Sequence, residues 1–176
     1  EKYLSRYIIA VGNVSQFFKS KSGFEKLIKL ARQTNSSKTH YYYKSWFETA
    51  VKNGEPEDQK RVLTQWINYT TEDSTPFSEE PFELFIELLT AAESLEELKD
   101  LRVLYAQNTP DEKRKTDLYE EIQTYQQIKG EKTDLGILTR LHKSYKSNQD
   151  QQKEQKILEL LSTRDDYEGQ LEALRQ

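Results

Sequence analysis

The sequence predicts an all-α chain, on three observations. Apolar residues recur at steps of three and four nearly everywhere. No sustained period-2 alternation competes with them, and glycine, proline and capping residues punctuate the pattern at helix-length intervals. About ten helices result, and each can be justified in turn.

A first helix is expected over 2–20, on the stripe Tyr3, Tyr7, Val11, Val14 and Phe18. A second, over 22–33, opens on Ser22 with Glu25 three residues on, the capping-box spacing, and carries Phe24, Leu27, Ile28 and Ala31. The third, 39–53, carries Tyr43, Trp46, Phe47, Ala50 and Val51 and stops at Asn53-Gly54, where glycine tolerates the left-handed conformation. The fourth, 57–69, carries Val62, Leu63, Trp66 and Ile67. Thr70 to Pro81 then holds two prolines among Thr, Ser and Asp, making it the longest expected loop and a candidate hinge.

A fifth helix, 79–93, carries Phe82, Phe85, Ile86 and Leu89, and a sixth, 95–107, follows Ser94 and Glu97 in capping-box spacing. Thr109-Pro110-Asp111-Glu112 reads as a capping hydroxyl, a first-turn proline and a reciprocal glutamate, opening a seventh over 110–129 that stops at Lys129-Gly130. Helices over 133–147, 150–162 and 164–175 complete the set. Short connections within each pair force antiparallel hairpins.

Charged residues make up 32% of the chain and hydrophobic residues 35%, so only one face of each helix can be apolar. That ratio suits roughly five stacked hairpins, an α-solenoid-like array, better than a deep core; a closed helical bundle is the alternative. Residues 1–176 read as a single all-helical domain, and the lack of methionine at position 1 suggests either an excised piece of a longer chain or a processed one. A domain of this length buries roughly 70% of its unfolded surface without a staple. The absence of cysteine removes disulfide frameworks, thiolate zinc sites and cysteine nucleophiles. It leaves the compartment open, with an intracellular setting favoured. No apolar run approaches the roughly 20 residues of a membrane span.

A slower periodicity overlies the helical one. Lys52-Asn53-Gly54-Glu55-Pro56-Glu57-Asp58 is similar to Lys129-Gly130-Glu131-Lys132-Thr133-Asp134, and each joins a Tyr-rich helix to one rich in Leu or Ile. Aligning the hairpins on these turns places Gly23, Gln59, Leu98, Leu135 and Gly169 in one column, at spacings of 36, 39, 37 and 34 residues. From Tyr43 through Phe47, Ala50, Lys52, Gly54, Glu57 and Asp58 to Val62 and Leu63, the chain resembles a unit of the tetratricopeptide and pentatricopeptide repeat superfamily. The resemblance implies stacked hairpins, with a protein partner for the one family and RNA for the other. Two departures stand against it. Gln59, Leu98 and Leu135 occupy a column that these families fill with small residues, and the tetratricopeptide proline is missing.

The motifs of catalysis are absent. His40 and His142 stand in neither H-E-x-x-H nor E-x-x-H spacing, and His142 reads as a partly buried or surface side chain. There is no Walker-type or dinucleotide-type glycine loop and no G-x-S-x-G serine. Neighbouring carboxylates such as Glu96-Glu97 and Glu120-Glu121 point in different directions around a helix, so they make no acid–base couple. No enzyme activity, cofactor or metal is expected.

Charge is the one uneven feature. Residues 1–53 carry ten Lys/Arg against three Asp/Glu, whereas the remainder carries sixteen against twenty-seven. The basic part interleaves Lys19, Lys21, Lys26, Lys29, Arg32, Lys38 and Lys44 with Phe17, Phe18, Tyr41, Tyr42 and Tyr43. Lysine neutralises phosphate and aromatic rings stack on bases, so this set is a candidate single-strand nucleic-acid surface. The competing reading packs at least two of Tyr41, Tyr42 and Tyr43 in the core, in phase with Trp46 and Phe47. A non-catalytic interaction module with a protein or peptide partner is the first expectation, and an RNA-binding pentatricopeptide-like domain the alternative.

Overall fold

The computed structural model describes Tyr3, Arg6 and residues 17–53, 56–72 and 74–164, the side chains of 17–20 and 53 excepted. Among these run eight helices and no strand: α1 (Phe17–Gln33), α2 (Thr39–Asn53), α3 (Pro56–Thr70), α4 (Glu80–Ala91), α5 (Leu95–Asn108), α6 (Glu112–Ile128), α7 (Leu135–Ser147) and α8 (Gln151–Ser162). The all-α expectation holds, with eight helices in place of about ten.

One of the missing helices comes from a boundary that does not exist. α1 continues through Ser22-Gly23, where the sequence suggested a cap and a new start. A glycine inside a helix costs about 1 kcal/mol. Burying Phe24 and Leu27 on the same face returns roughly 1.5–3 kcal/mol for each side chain, so the continuous helix wins. The rest of the expected helix 2–20 lies outside the described residues, apart from Tyr3 and Arg6, which are helical and exposed. The expected helix 164–175 lies outside them beyond Arg164, as do Gly54 and Gly169.

The caps also correct the sequence reading in detail. α6 starts at Glu112, with Asp111 and not Thr109 as its cap; the Asp111 carboxylate accepts from the backbone N–H groups of Lys113 and Arg114. An ionised carboxylate satisfies two orphan donors and complements the helix dipole, which a hydroxyl two residues earlier cannot do. Asp134 caps α7 in the same way, and Asp150 caps α8 through the single N–H of Lys153. Ser94 sits at the start of α5 but makes no side-chain capping bond. Gly130, at φ +70°, takes the left-handed position after α6 that the sequence assigned to it.

The chain divides into two compact units, 1–88 and 89–176, with the division inside α4. In the first, α1 packs on α2 and α2 on α3. Phe24 stacks on Trp46 at 6.3 Å between ring centroids, and Tyr43 stacks on Trp66 at 6.2 Å and meets Tyr69 at 5.7 Å. Leu84, Phe85 and Leu88 of α4 pack against the same core. The 71–79 loop is tied down where it is described. Thr75 Oγ1 donates to the Tyr69 carbonyl at 2.7 Å, and the Ser78 N–H donates to Thr70 Oγ1 at 2.6 Å.

In the second unit, α5, α6, α7 and α8 pack each on the next. Polar ties lace the antiparallel seams. Arg102 meets Glu121 at 2.7 Å across α5/α6, and the Thr116 and Ser144 hydroxyls lie 2.6 Å apart across α6/α7. Glu120 accepts from both Tyr145 (2.8 Å) and Lys153 (2.7 Å). Burial and that carboxylate push the Tyr145 phenol well above its ordinary pKa. His142 is not at the surface. It is 1% exposed, with Nε2 3.2 Å from Glu154 Oε1 and Nδ1 without a partner among the described residues.

The two units bury matching positions. After its first residue, α2 buries Tyr42, Tyr43, Trp46 and Ala50, and α6 buries Leu118, Tyr119, Ile122 and Gln126, each seventy-six residues further on. In α3, Val62, Leu63, Trp66, Ile67, Tyr69 and Thr70 are buried; in α7, Ile137, Leu138, Leu141, His142 and Tyr145 are buried, each seventy-five residues after its counterpart, and Tyr69 alone has no buried counterpart, Ser144 being half-buried.

Candidate functional site

Because α2 is the middle helix of its set, α1 and α3 stand on either side of it. A groove of about 320 Å³ runs over it, with Glu25, Ile28, Lys29, Arg32 and Gln33 on one wall, Gln65 on the other, and Tyr43 and Trp46 as the floor. The floor is there because the core needs it: both side chains are almost fully buried, and the groove reaches only their outer edges. The Trp46 indole N–H is buried and has no partner among the described residues. Such a donor forgoes about 1–3 kcal/mol until an acceptor reaches it. Arg32 places its charge beside the Tyr43 hydroxyl, ion-pairs with Glu72 and lies over the Tyr69 ring at 5.4 Å. Burial raises the Tyr43 pKa, and the Arg32 charge partly offsets that.

The second unit repeats the arrangement over its own middle helix. Lys99, Val103 and Gln107 of α5 and Gly136, Ile137 and Arg140 of α7 flank a groove of about 290 Å³ floored by Tyr119, Ile122 and Gln126 of α6. Tyr119 stands seventy-six residues after Tyr43, and it too carries an arginine. Arg140 Nη1 donates to the Tyr119 hydroxyl at 2.7 Å, with the guanidinium 5.5 Å from the ring centre. Both volumes sit at the bottom of the roughly 300–1,000 Å³ range of small-molecule sites. Each is sized for one or two side chains of a chain laid across it rather than for a dinucleotide.

Beside the first groove, a cavity of about 550 Å³ lies between the 34–38 turn and the 71–79 loop, lined by Arg32, His40, Tyr69, Glu72 and Pro76 among others. His40 closes one side. Its Nδ1 accepts from Trp66 Nε1 at 2.8 Å and its Nε2–H donates to the Pro76 carbonyl at 3.2 Å, which fixes the neutral tautomer. Burial holds this imidazole below its ordinary pKa; the Pro76 carbonyl and Glu80 pull the other way without reversing it.

The basic and aromatic residues singled out from sequence are divided by the fold. Lys29 and Arg32 are brought together at the first groove. Lys26 and Lys38 are exposed on α1 and in the turn after it, Lys21 is half-buried, and the Lys19 side chain lies outside those described. Lys44 is ion-paired with Glu80. Tyr42 is in the core with Tyr43, both 2% exposed, and Tyr41 alone of the three is exposed, at 55%. Tyr42 therefore offers no ring to a base, as the core-packing alternative expected. Sequence reasoning passed over Gln33, Gln65, Gln107, Gln126 and Arg140. Single glutamines inside or at the end of a helix carry no spacing signal, and these become neighbours only once three helices are assembled.

Among the described residues no three His, Asp or Glu side chains are placed to hold a metal ion, and no helix is long and apolar enough to cross a membrane. No protein-family model, curated protein or solved structure matches the chain.

Proposed function

We propose that the chain is a helical-hairpin array of the tetratricopeptide and pentatricopeptide kind whose groove over α2 and whose groove over α6 each bind an extended segment of a protein partner. The carrying observation is the chemistry of the two grooves. Each has a largely apolar floor able to take a side chain, and each offers two glutamine amides: Gln33 and Gln65 on the walls of the first, and Gln107 on the wall and Gln126 in the floor of the second, where Gln126 Oε1 already accepts from the Asp134 N–H. A primary amide both donates and accepts, which suits the alternating N–H and C=O of a peptide backbone. Matching burial on α2/α6 and α3/α7 supports two turns of one repeat design, in which each unit contacts its neighbours and leaves a face free.

Selection of a random peptide library on the immobilised chain tests this. Enriched peptides are expected to bind with little change between low and high salt, and to weaken about three- to tenfold on Gln65→Ala or Gln126→Ala. A second reading rests on the exposed Lys26, Lys29, Lys38 and Tyr41: a single-stranded RNA surface. Saturable binding of an RNA pool that weakens steeply with salt and is lost when Lys26, Lys29 and Arg32 become Glu, with no peptide enriched, favours it and sinks the peptide reading.

A further inference from the structure

The second unit belongs to the acidic part of the chain, yet one cavity in it is basic. About 460 Å³ in volume, it lies over the α6/α7 seam and is lined by Glu112, Lys113, Lys115, Tyr119, Arg140, Lys143, Ser144, Ser147 and Asn148. Four of these carry positive charge and one is acidic. That one, Glu112, is taken by Lys115 at 2.6 Å. Arg140, Lys113 and Lys143 have no carboxylate partner among the described residues. Cations gathered round one opening raise each other's energy, and an anion in the opening relieves it.

We propose that this cleft is a binding site for a phosphate monoester, distinct from the groove over α6 but sharing a wall with it. The cations come from both walls: Lys113 and Lys115 stand on α6, and Arg140 and Lys143 on α7, one turn apart on the same stripe. Neutral donors fill in between them. Ser144, Ser147 and the Asn148 amide belong to the cavity wall, and Ser144 is steadied by Thr116 on the facing helix. At its inner end stands Tyr119, 4% exposed. Its hydroxyl accepts from Arg140, so its own proton remains to be donated. A tetrahedral dianion has three oxygens to share among such donors, whereas a carboxylate has two and half the charge. Arg140 and Tyr119 line both this cleft and the groove over α6, so an anion drawing on the guanidinium bears directly on the groove wall.

The test is isothermal titration of the whole chain with O-phosphoserine, a phosphoserine peptide and inorganic phosphate, with sulfate as control at matched ionic strength. One saturable site is expected for the phosphate compounds. Binding should weaken at least about tenfold on Lys143→Glu and on Lys113→Glu. Lys52→Glu, an exposed position in the first unit outside every groove, should leave it unchanged. Affinity should also fall as pH drops through about 6, where a phosphate monoester takes up its second proton, while sulfate shows no such step. A phosphoserine peptide binding more tightly than inorganic phosphate assigns the site to a modified polypeptide; the reverse order assigns it to free phosphate. Helical content by circular dichroism checks the variants, and Lys143→Gln, which removes charge without reversing it, stands in if Lys143→Glu does not fold. No saturable binding of any phosphate compound at millimolar concentration overturns the proposal. So does binding indifferent to both lysine changes, or binding of an oligonucleotide alone. None of these outcomes bears on Gln65 or Gln126, which carry the peptide reading.

Discussion

In the first unit the arginine that meets the floor tyrosine comes from the helix before it, Arg32 of α1; in the second it comes from the helix after it, Arg140 of α7. Glu72 neutralises Arg32, whereas Arg140 has no carboxylate among the described residues. The tyrosines occupy the same place because the core dictates it: four buried positions on each middle helix coincide at one offset. The walls are under no such constraint, so side chains there differ in source and in charge balance. What is shared between the units reports on packing. What differs reports on what each groove can hold.

The largest test of that comparison removes the floor. Trp46→Ala is expected to cost about 3–5 kcal/mol and Ile122→Ala about 2–5 kcal/mol, because each empties a nearly fully buried site. Hydrogen exchange should show lost protection in α1–α3 for the first and in α5–α7 for the second. Loss spread over all helices in either variant would break the division into two units.

A smaller effect separates the two histidines. Glu154→Ala strips His142 of its one described partner and should cost about 1–3 kcal/mol, read as a shift in urea midpoint. His40 should instead show itself through pH. The folded unit holds its imidazole below the ordinary value, so in mild acid the unfolded chain binds more protons than the folded one. The stabilising contribution is therefore complete above about pH 6.5 and lost as pH falls below it, by at most about 1.4 kcal/mol per pH unit. Lys44, Glu80, Arg32 and Glu72 surround the site, so the slope must vanish in His40→Phe to be assigned to the imidazole.

The smallest effects lie in the turns. Gln149 follows α7 at φ +56°, where Gly130 follows α6 at φ +70°. Gln149→Gly should stabilise by about 0.5–1 kcal/mol, and Gly130→Ala should cost about 1 kcal/mol, since nothing crowds the added methyl. Equal and opposite shifts in thermal midpoint would show that the two turns do the same work.

Much of the fold was legible because helices announce themselves through period and caps. Failures came where a local preference met stronger tertiary packing. Ser22 and Gly23 looked like a boundary until the burial of Phe24 and Leu27 outweighed them. His142 looked superficial because its partner, Glu154, sits on another helix. The grooves were not legible at all, since Gln65 and Arg140 matter only for which helix lies across from them. The charge count placed the basic character in the first third, yet it could not see four cations from two helices meeting in the acidic part.

Both tryptophans of the chain stand in the first unit and none in the second. Light absorbed at the red edge of the indole band is therefore emitted by one unit alone. Trp46 looks onto the groove floor and Trp66 is bonded to the His40 ring, so an occupied groove and a protonated imidazole, which quenches a neighbouring indole, would alter different emitters. Trp46→Phe and Trp66→Phe would separate the two signals, giving the native chain an optical readout of peptide and of acid without any attached dye.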